Sequence, residues 1–449
     1  MRKYPAGQSV GAIYDNAPAD NPFLAAMPEM VGRGEFLSEV KGSPPIPHNI
    51  GTMTSEERRQ ALPILSTVFI PMDYMYAIYD QLYRAIRTTY TARTVIDGTR
   101  QTNAIVQGLG AAIFVAQADT GSILGVPGIG KTVTVQRCLN MLPQVIEHTE
   151  YQGHPFFCKQ VLYLRVECPS DCSIKTLAFN ILAALDRAIG SDYLNRLTLM
   201  KSISVSAIAT QVKILCMTHH VGLILVDEIQ NAVLTARKNR QVKPLIKFLV
   251  ELTNDTGTAT YFVGTPEAEE LFISQEHLKR RTRGIRLLPL KPDGAYHSFL
   301  EQLWPYQLTP SSAPLTEKMA NKLYDHSAGI PAYIVKIFRE AQVQALFNGE
   351  RCITEKMVQR AVEILAIKVP KTFAGGTHIS DFSFGEDGDG VTSVLPSTDG
   401  EEQLEQPRLY ANKRGRPVSV RDERDLLNAN GPLQAHLRKY ELLEEWPLC

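Results

Sequence analysis

Continuous apolar runs recur through the middle of the chain, each set off by glycine or by acids. GSILG (121–125), VLYLRVEC (161–168), VGLILVDEIQ (221–230), TATYFVGTPE (258–267) and GIRLLPL (284–290) read as strands. Helical spacing takes over between them, in KTVTVQRCLNML (131–142) and in IKTLAFNILAALDRAIG (174–190), which stops at Gly190. Strands alternating with helices predict an α/β fold with a parallel sheet, and runs without polar alternation predict that helices cover both of its faces.

The flanking regions carry other patterns. Residues 1–50 are rich in Pro, Gly and polar residues, with one apolar island, NPFLAAMPEM (21–30). They predict an extended arm that docks on a partner or on the chain's own core. TSEERRQALPIL (54–65) has helical character with Thr54 or Ser55 as cap, and 71–93 places Met75, Ile78, Leu82 and Ile86 on one helical face. Residues 293–370 show apolar helical patterns and no clear strand, which predicts a small helical domain. Acids dominate 371–407, as in a disordered linker, and the tail turns basic at ANKRGRPVSVRDER (411–424). The expected divisions are 1–104 (arm and helices on the core), 105–292 (α/β core), 293–370 (helical domain) and 371–449 (a largely extended tail). There is no internal repeat.

Composition narrows this only slightly. In 449 residues, Lys+Arg and Asp+Glu both number 47, so any nucleic-acid surface must be a local basic face. Seven scattered cysteines, with Cys168 and Cys172 lacking a second Cys/His pair nearby, fit reduced thiols and a cytoplasmic protein better than zinc or disulfides. The start lacks an apolar signal core, and no run reaches the roughly 18 residues of a membrane span.

GVPGIGKT (125–132) fits the G-x-x-x-x-G-K-[ST] phosphate loop at every fixed position. Glycines let backbone N–H groups approach phosphates at a helix N-terminus. Gly125, Pro127, Gly128, Gly130, Lys131, Thr132 and Val133 are the candidate nucleotide cradle, with Lys131 toward the β- and γ-phosphates of ATP and Thr132 toward Mg²⁺. LILVDE (223–228) ends its strand in Asp227, a second candidate Mg²⁺ ligand, and Glu228, a candidate general base. Thr265, at the end of YFVGTPE, is placed to sense the γ-phosphate or orient water, and also to cap a helix that begins at Pro266; the two roles are compatible. LKRRTRGIR (278–286) clusters arginines, of which Arg281 and then Arg280 are candidates to complete a neighbouring subunit's site; the alternative is a solvated basic turn. Lys175, near the start of the 174–190 helix, and Arg237, Lys238, Arg240 and Lys243, after the acidic strand, are candidate DNA contacts or a solvated charged face. KRGRP (413–417) is similar to the core of a minor-groove arm; binding of a protein partner is the alternative.

These motifs, in this order, resemble an AAA+ ATPase. NPFLAAMPEM before the core, LRVECPSDCSIKTLAFNILAAL after the phosphate-loop helix, and LILVDEIQNAV followed by FVGTPE and the arginine cluster resemble the TnsC/TniB family, regulators of Tn-seven-like transposons. The resemblance runs from about 21 to 345 and is poor in the tail. It implies an AAA+ sheet with a helical lid, and a homo-oligomeric ring or filament on double-stranded DNA in the ATP state. It further implies that the chain links a target-selection protein to transposase subunits, with hydrolysis taking the assembly apart. Lys175 and the basic segment after Glu228 would then line the DNA channel. One departure stands out: in SAGIPAYIVKIF (327–338), Ala332 follows Gly329-Ile330-Pro331, where AAA+ lids often carry an arginine facing the γ-phosphate; Lys336 is a candidate substitute, with helix packing the alternative. An AAA+ helicase loader or replication initiator, and a nucleotide-switched scaffold without DNA, remain alternatives.

Overall fold

A computed structural model describes residues 4, 8–14, 21–108, 118–200, 202–232, 242–269, 282–367, 410–411 and 417–418; within these, the side chains of 97, 242, 243, 282, 283 and the four tail residues are not described. The chain forms two compact units, Met1–Asp387 and Gly388–Cys449. In the second, β9 (Tyr410–Ala411) and β10 (Pro417–Val418) pair antiparallel, with Pro417 opposite Ala411. The acidic linker and most of KRGRP lie outside the described residues.

The first unit begins with β1 (Ser9–Gly11), α1 (Pro22–Ala25), α2 (Arg33–Val40), α3 (Ser55–Ala61), a 3₁₀ turn (Leu62–Thr67), α4 (Asp73–Ala92) and α5 (Val95–Val106). The α/β core follows: β2 (Thr120–Gly125), α6 (Lys131–Leu139), β3 (Val145–Tyr151), β4 (His154–Val161), β5 (Tyr163–Glu167), α7 (Ile174–Ile189), α8 (Tyr193–Thr198), α9 (Val205–Thr218), β6 (Leu223–Asp227), α10 (Val242–Thr256), β7 (Ala259–Gly264) and β8 (Thr282–Leu287). Four described helices follow: α11 (Gly294–Leu303), α12 (Glu317–Ser327), α13 (Pro331–Phe347) and α14 (Glu355–Leu365). No described helix is long and apolar enough to cross a membrane.

The central sheet has the order β5-β6-β7-β2-β8, and every neighbouring pair is parallel. The central strands β6 and β7 are mostly apolar because alternate residues enter different cores. On β6, Ile224 and Val226 pack with α7, α9 and α10, whereas Leu223 and Leu225 pack with α4 and α6. On β7, Phe262 faces the first core and Tyr261 and Val263 the second. A third core joins the four closing helices to Leu62 and Leu65 of the 3₁₀ turn, so the amino-terminal region serves both the sheet and the helical domain.

Two local expectations change. VLYLRVEC is not one strand: Val161 ends β4, the Leu162 N–H donates to Gln144 O at 2.9 Å, and β5 begins at Tyr163 in another sheet. β4 is half of a hairpin with β3, and β1 joins that sheet parallel to β3. NPFLAAMPEM is not extended either. Asn21 accepts the N–H groups of Phe23 and Leu24 and so caps α1, which carries Phe23 into the chain's own core. Thr54 closes a capping box with Glu57 at the start of α3.

Candidate nucleotide site

The phosphate loop leaves β2 at Gly125 and enters α6 at Lys131. Gly128 (φ +84°) and Gly130 (φ +97°) lie in the left-handed region, where a side chain is strained. Gly128 is also closely packed: a Cβ there would lie 3.2 Å from Ile330 and 3.3 Å from Ala332 of the helical domain. The Ala332 N–H donates to Gly128 O at 3.2 Å, so the start of α13 is seated on the loop. Pro127 lies in the loop turn, and Val133 is exposed in the first turn of α6.

Lys131 donates to the carbonyls of Gly125 at 2.7 Å and Val126 at 3.2 Å. Burial pushes its ammonium below the ordinary lysine value, and the Glu228, Asp227 and Glu267 carboxylates oppose that shift. The Thr132 hydroxyl donates to Asp227 Oδ2 at 3.2 Å across 95 residues of sequence. Asp227 is buried at the end of β6, and its other oxygen accepts the Glu228 N–H at 2.9 Å. Glu228 is exposed, with φ +56°, an uncommon conformation for a side-chain-bearing residue. Thr265 follows β7 and is the N-cap residue of the 3₁₀ turn Pro266–Ala268, without a side-chain cap bond.

Several partners were not read from the sequence. Arg165 of β5 donates to Asp227 Oδ2 at 2.9 Å and, through its other terminal nitrogen, to Gln136 Oε1 at 2.9 Å. The Gln230 amide contacts both Glu228 and Thr265. A cavity of about 530 Å³ lies between the phosphate loop, the segment around Thr67–Tyr74 and the face of α13 that carries Ala332, Lys336 and Arg339. Its size is that of an ordinary small-molecule site. Two hydroxyls on its lining, of Tyr74 and Thr134, are sealed from solvent without a hydrogen-bond partner among the described residues. Arg137, on the same wall, lies 4.1 Å over the Phe69 ring and donates to Val40 O at 2.6 Å.

The remaining candidates lie elsewhere. Lys175 is exposed in the first turn of α7, with its ammonium 5.6 Å from the Phe179 ring. Lys243 is on α10, but its side chain is not described, and Arg237, Lys238, Arg240, Arg280 and Arg281 lie outside the described residues. Arg286, from the same cluster, pairs with Glu269.

A protein-family model for the AAA domain matches residues 116–272. No protein of curated function matches the sequence. Among solved structures, the chain is similar to Drosophila ORC bound to DNA, at 15% identity and TM-score 0.43, covering 76% of this chain and 71% of that one. It is similar to the Aeropyrum pernix ORC1 protein in complex with DNA at 13% and 0.37, covering 60% and 64%. It is similar to Cdc6p from Pyrobaculum aerophilum at 12% and 0.36, covering 61% and 67%. With its five-stranded parallel sheet flanked by helices and its phosphate loop between β2 and α6, the chain carries an AAA+ domain.

Proposed function

We propose that the chain is an ATP-hydrolysing switch that assembles on duplex DNA and regulates transposition. The observation that carries the hydrolytic part is the meeting of Thr132, Asp227 and Glu228 beside a loop whose other side seats α13. The loop N–H groups and Lys131 would bind the phosphates, and the adjoining cavity would take the rest of the nucleotide. The residues present suit Mg²⁺, since Thr132 and Asp227 offer two adjacent hard oxygens and Mg²⁺ in such sites takes few protein ligands. Bound there, Mg²⁺ would neutralise charge on the β- and γ-phosphates. Glu228 takes a proton from water as the water oxygen bonds to the γ-phosphorus, and the bond from that phosphorus to the bridging oxygen breaks to release ADP.

The DNA part rests on Lys175 and on how the segment before its helix is tied to the nucleotide site. The Cys168 N–H donates to Asp227 O at 2.8 Å, and Asn231 Nδ2 donates to Cys168 O at 3.1 Å. The Cys172 thiol contacts Asn231 O at 3.7 Å. The two segments that resemble the transposition regulators, ECPSDCSIK and VDEIQN, therefore touch. These bonds link Asp227 to the segment from Cys168 to Cys172, which leads into the first turn of α7 and Lys175. Arginines 280 and 281 are proposed to act on a neighbouring subunit, and the tail and amino-terminal segment to meet transposase subunits and a target-selection protein.

Electron microscopy of the full chain with Mg²⁺ and a slowly hydrolysed ATP analogue, with and without duplex DNA, tests this reading. Rings or helices that form only with DNA are expected. Assembly indifferent to DNA would leave the scaffold reading, and single particles at one DNA sequence the initiator reading. Lys175→Ala should weaken duplex binding and flatten the plot of log affinity against log salt by about 0.9 for each DNA phosphate that is no longer neutralised. An unchanged slope would move the DNA face away from α7.

A further inference from the structure

One side chain spans the gap between the strand that ends in Asp227 and the strand that ends before Thr265. Gln230 Nε2 donates to Glu228 Oε2, and Gln230 Oε1 accepts the Thr265 N–H at 3.1 Å. The amide lies across Gly264, where a Cβ would sit 2.7 Å from Gln230 Oε1. The backbone beneath is anchored, with the Ile229 N–H donating to Val263 O at 3.0 Å. Glu228 is exposed, and an exposed glutamate otherwise spreads over many rotamers. With one oxygen held by Gln230, the other is left to receive a proton.

We infer that Gln230 is a positioning residue: it orients the Glu228 carboxylate and couples it to the end of β7 at Thr265. This rests on the reading of Glu228 as general base. The chemistry suits an amide, because its one planar end carries both the donor that Glu228 needs and the acceptor that the Thr265 N–H needs. Asparagine is one methylene shorter. Glutamate keeps the acceptor for the Thr265 N–H but removes the donor to Glu228. A displacement of Thr265 by a γ-phosphate would be passed to the base through this one side chain.

The test compares the full-length protein with Glu228→Gln, Gln230→Ala and Gln230→Glu in steady-state ATP hydrolysis, with affinity for a non-hydrolysable ATP analogue measured on each. Both Gln230 variants are expected to lose kcat by at least about tenfold, with KM and analogue affinity within about twofold, because the loss is one of orientation and not of binding. Gln230→Glu is the informative variant, since it preserves size and the Thr265 bond. Wild-type kcat in Gln230→Glu, or a loss that appears in KM and analogue affinity, overturns the inference. Absence of hydrolysis by the wild-type protein, or undiminished hydrolysis by Glu228→Gln, instead overturns the reading of Glu228 on which it rests.

Discussion

Replacing Glu228 with Gln should lower kcat for ATP hydrolysis by about 10²–10⁴-fold, the span typical of a general base. Nucleotide affinity should hold within a few-fold. The substitution keeps the side chain's shape, and the bond that ties this residue to Asp227 comes from its backbone N–H, which the change leaves intact. Gln230 can still donate to the new amide oxygen, so the local geometry persists while proton acceptance is lost. The assembled, ATP-bound state should therefore outlive that of the wild type. Rapid-quench hydrolysis and dissociation from DNA after dilution measure the two halves of this expectation. A variant that turns over normally would place the base elsewhere, and one that fails to bind ATP would make Glu228 a structural residue.

Gly329→Ala should have the largest effect on stability. Gly329 has φ +70°, and a Cβ added there would lie 2.0 Å from the carbonyl oxygen of Leu290 and 3.1 Å from its nitrogen. Leu290 cannot withdraw freely, because its N–H donates to Gly329 O at 2.9 Å and its side chain is buried. The next residues, Ile330 to Ala332, seat α13 on Gly128. Left-handed strain and overlap with backbone together should cost about 3 kcal/mol or more. For a cooperative unit as long as Met1–Asp387, that corresponds to a fall in Tm of roughly 4 °C. The start of α13 also walls the nucleotide cavity, so affinity for ADP and ATP analogues should fall with it. Gly349→Ala is the control: its φ is +73°, but nothing lies within 4 Å of the added Cβ, so it should cost only about 1 kcal/mol. Equal Tm and nucleotide affinity in Gly329→Ala and the wild type would show that the Leu290–Gly329 contact does not hold the helical domain in place.

What could be read from the sequence was what local spacing determines. The loop from Gly125 to Thr132 works through neighbouring backbone N–H groups, so its chemistry is written in consecutive residues. The strands ending at Asp227 and Gly264 are mostly apolar because both faces of the sheet are covered, and that too is local. Arg165 was hidden for the opposite reason. It is one polar residue in an apolar run, and its partner Asp227 lies 62 positions away, joined only because β5 pairs with β6. The cavity walls come from residues near 70, 130 and 335, which no periodicity connects. The hairpin of β3 and β4 did have a signal. VIEHTEY and HPFFCKQV flank Gln152-Gly153, and both turn residues have positive φ, the requirement of a tight hairpin turn. Its polar alternation was overshadowed by the more apolar run that follows. Gln230 was visible as a letter but not as a contact, because nothing in LILVDEIQ shows that the chain turns back at Glu228.

The division of the amino-terminal region between two cores bears on how the helical domain moves. That domain is attached to the sheet at Gly329, by way of Leu290, and again through Leu62 and Leu65, which belong to its core while α4 just after them belongs to the sheet's. Met72 packs against both. The Ala332–Gly128 bond adds a third tie, and this one is made to the phosphate loop itself. Ala332, Lys336 and Arg339 stand on one helix, so a substitution that shifts the start of α13 would move all three relative to the loop together.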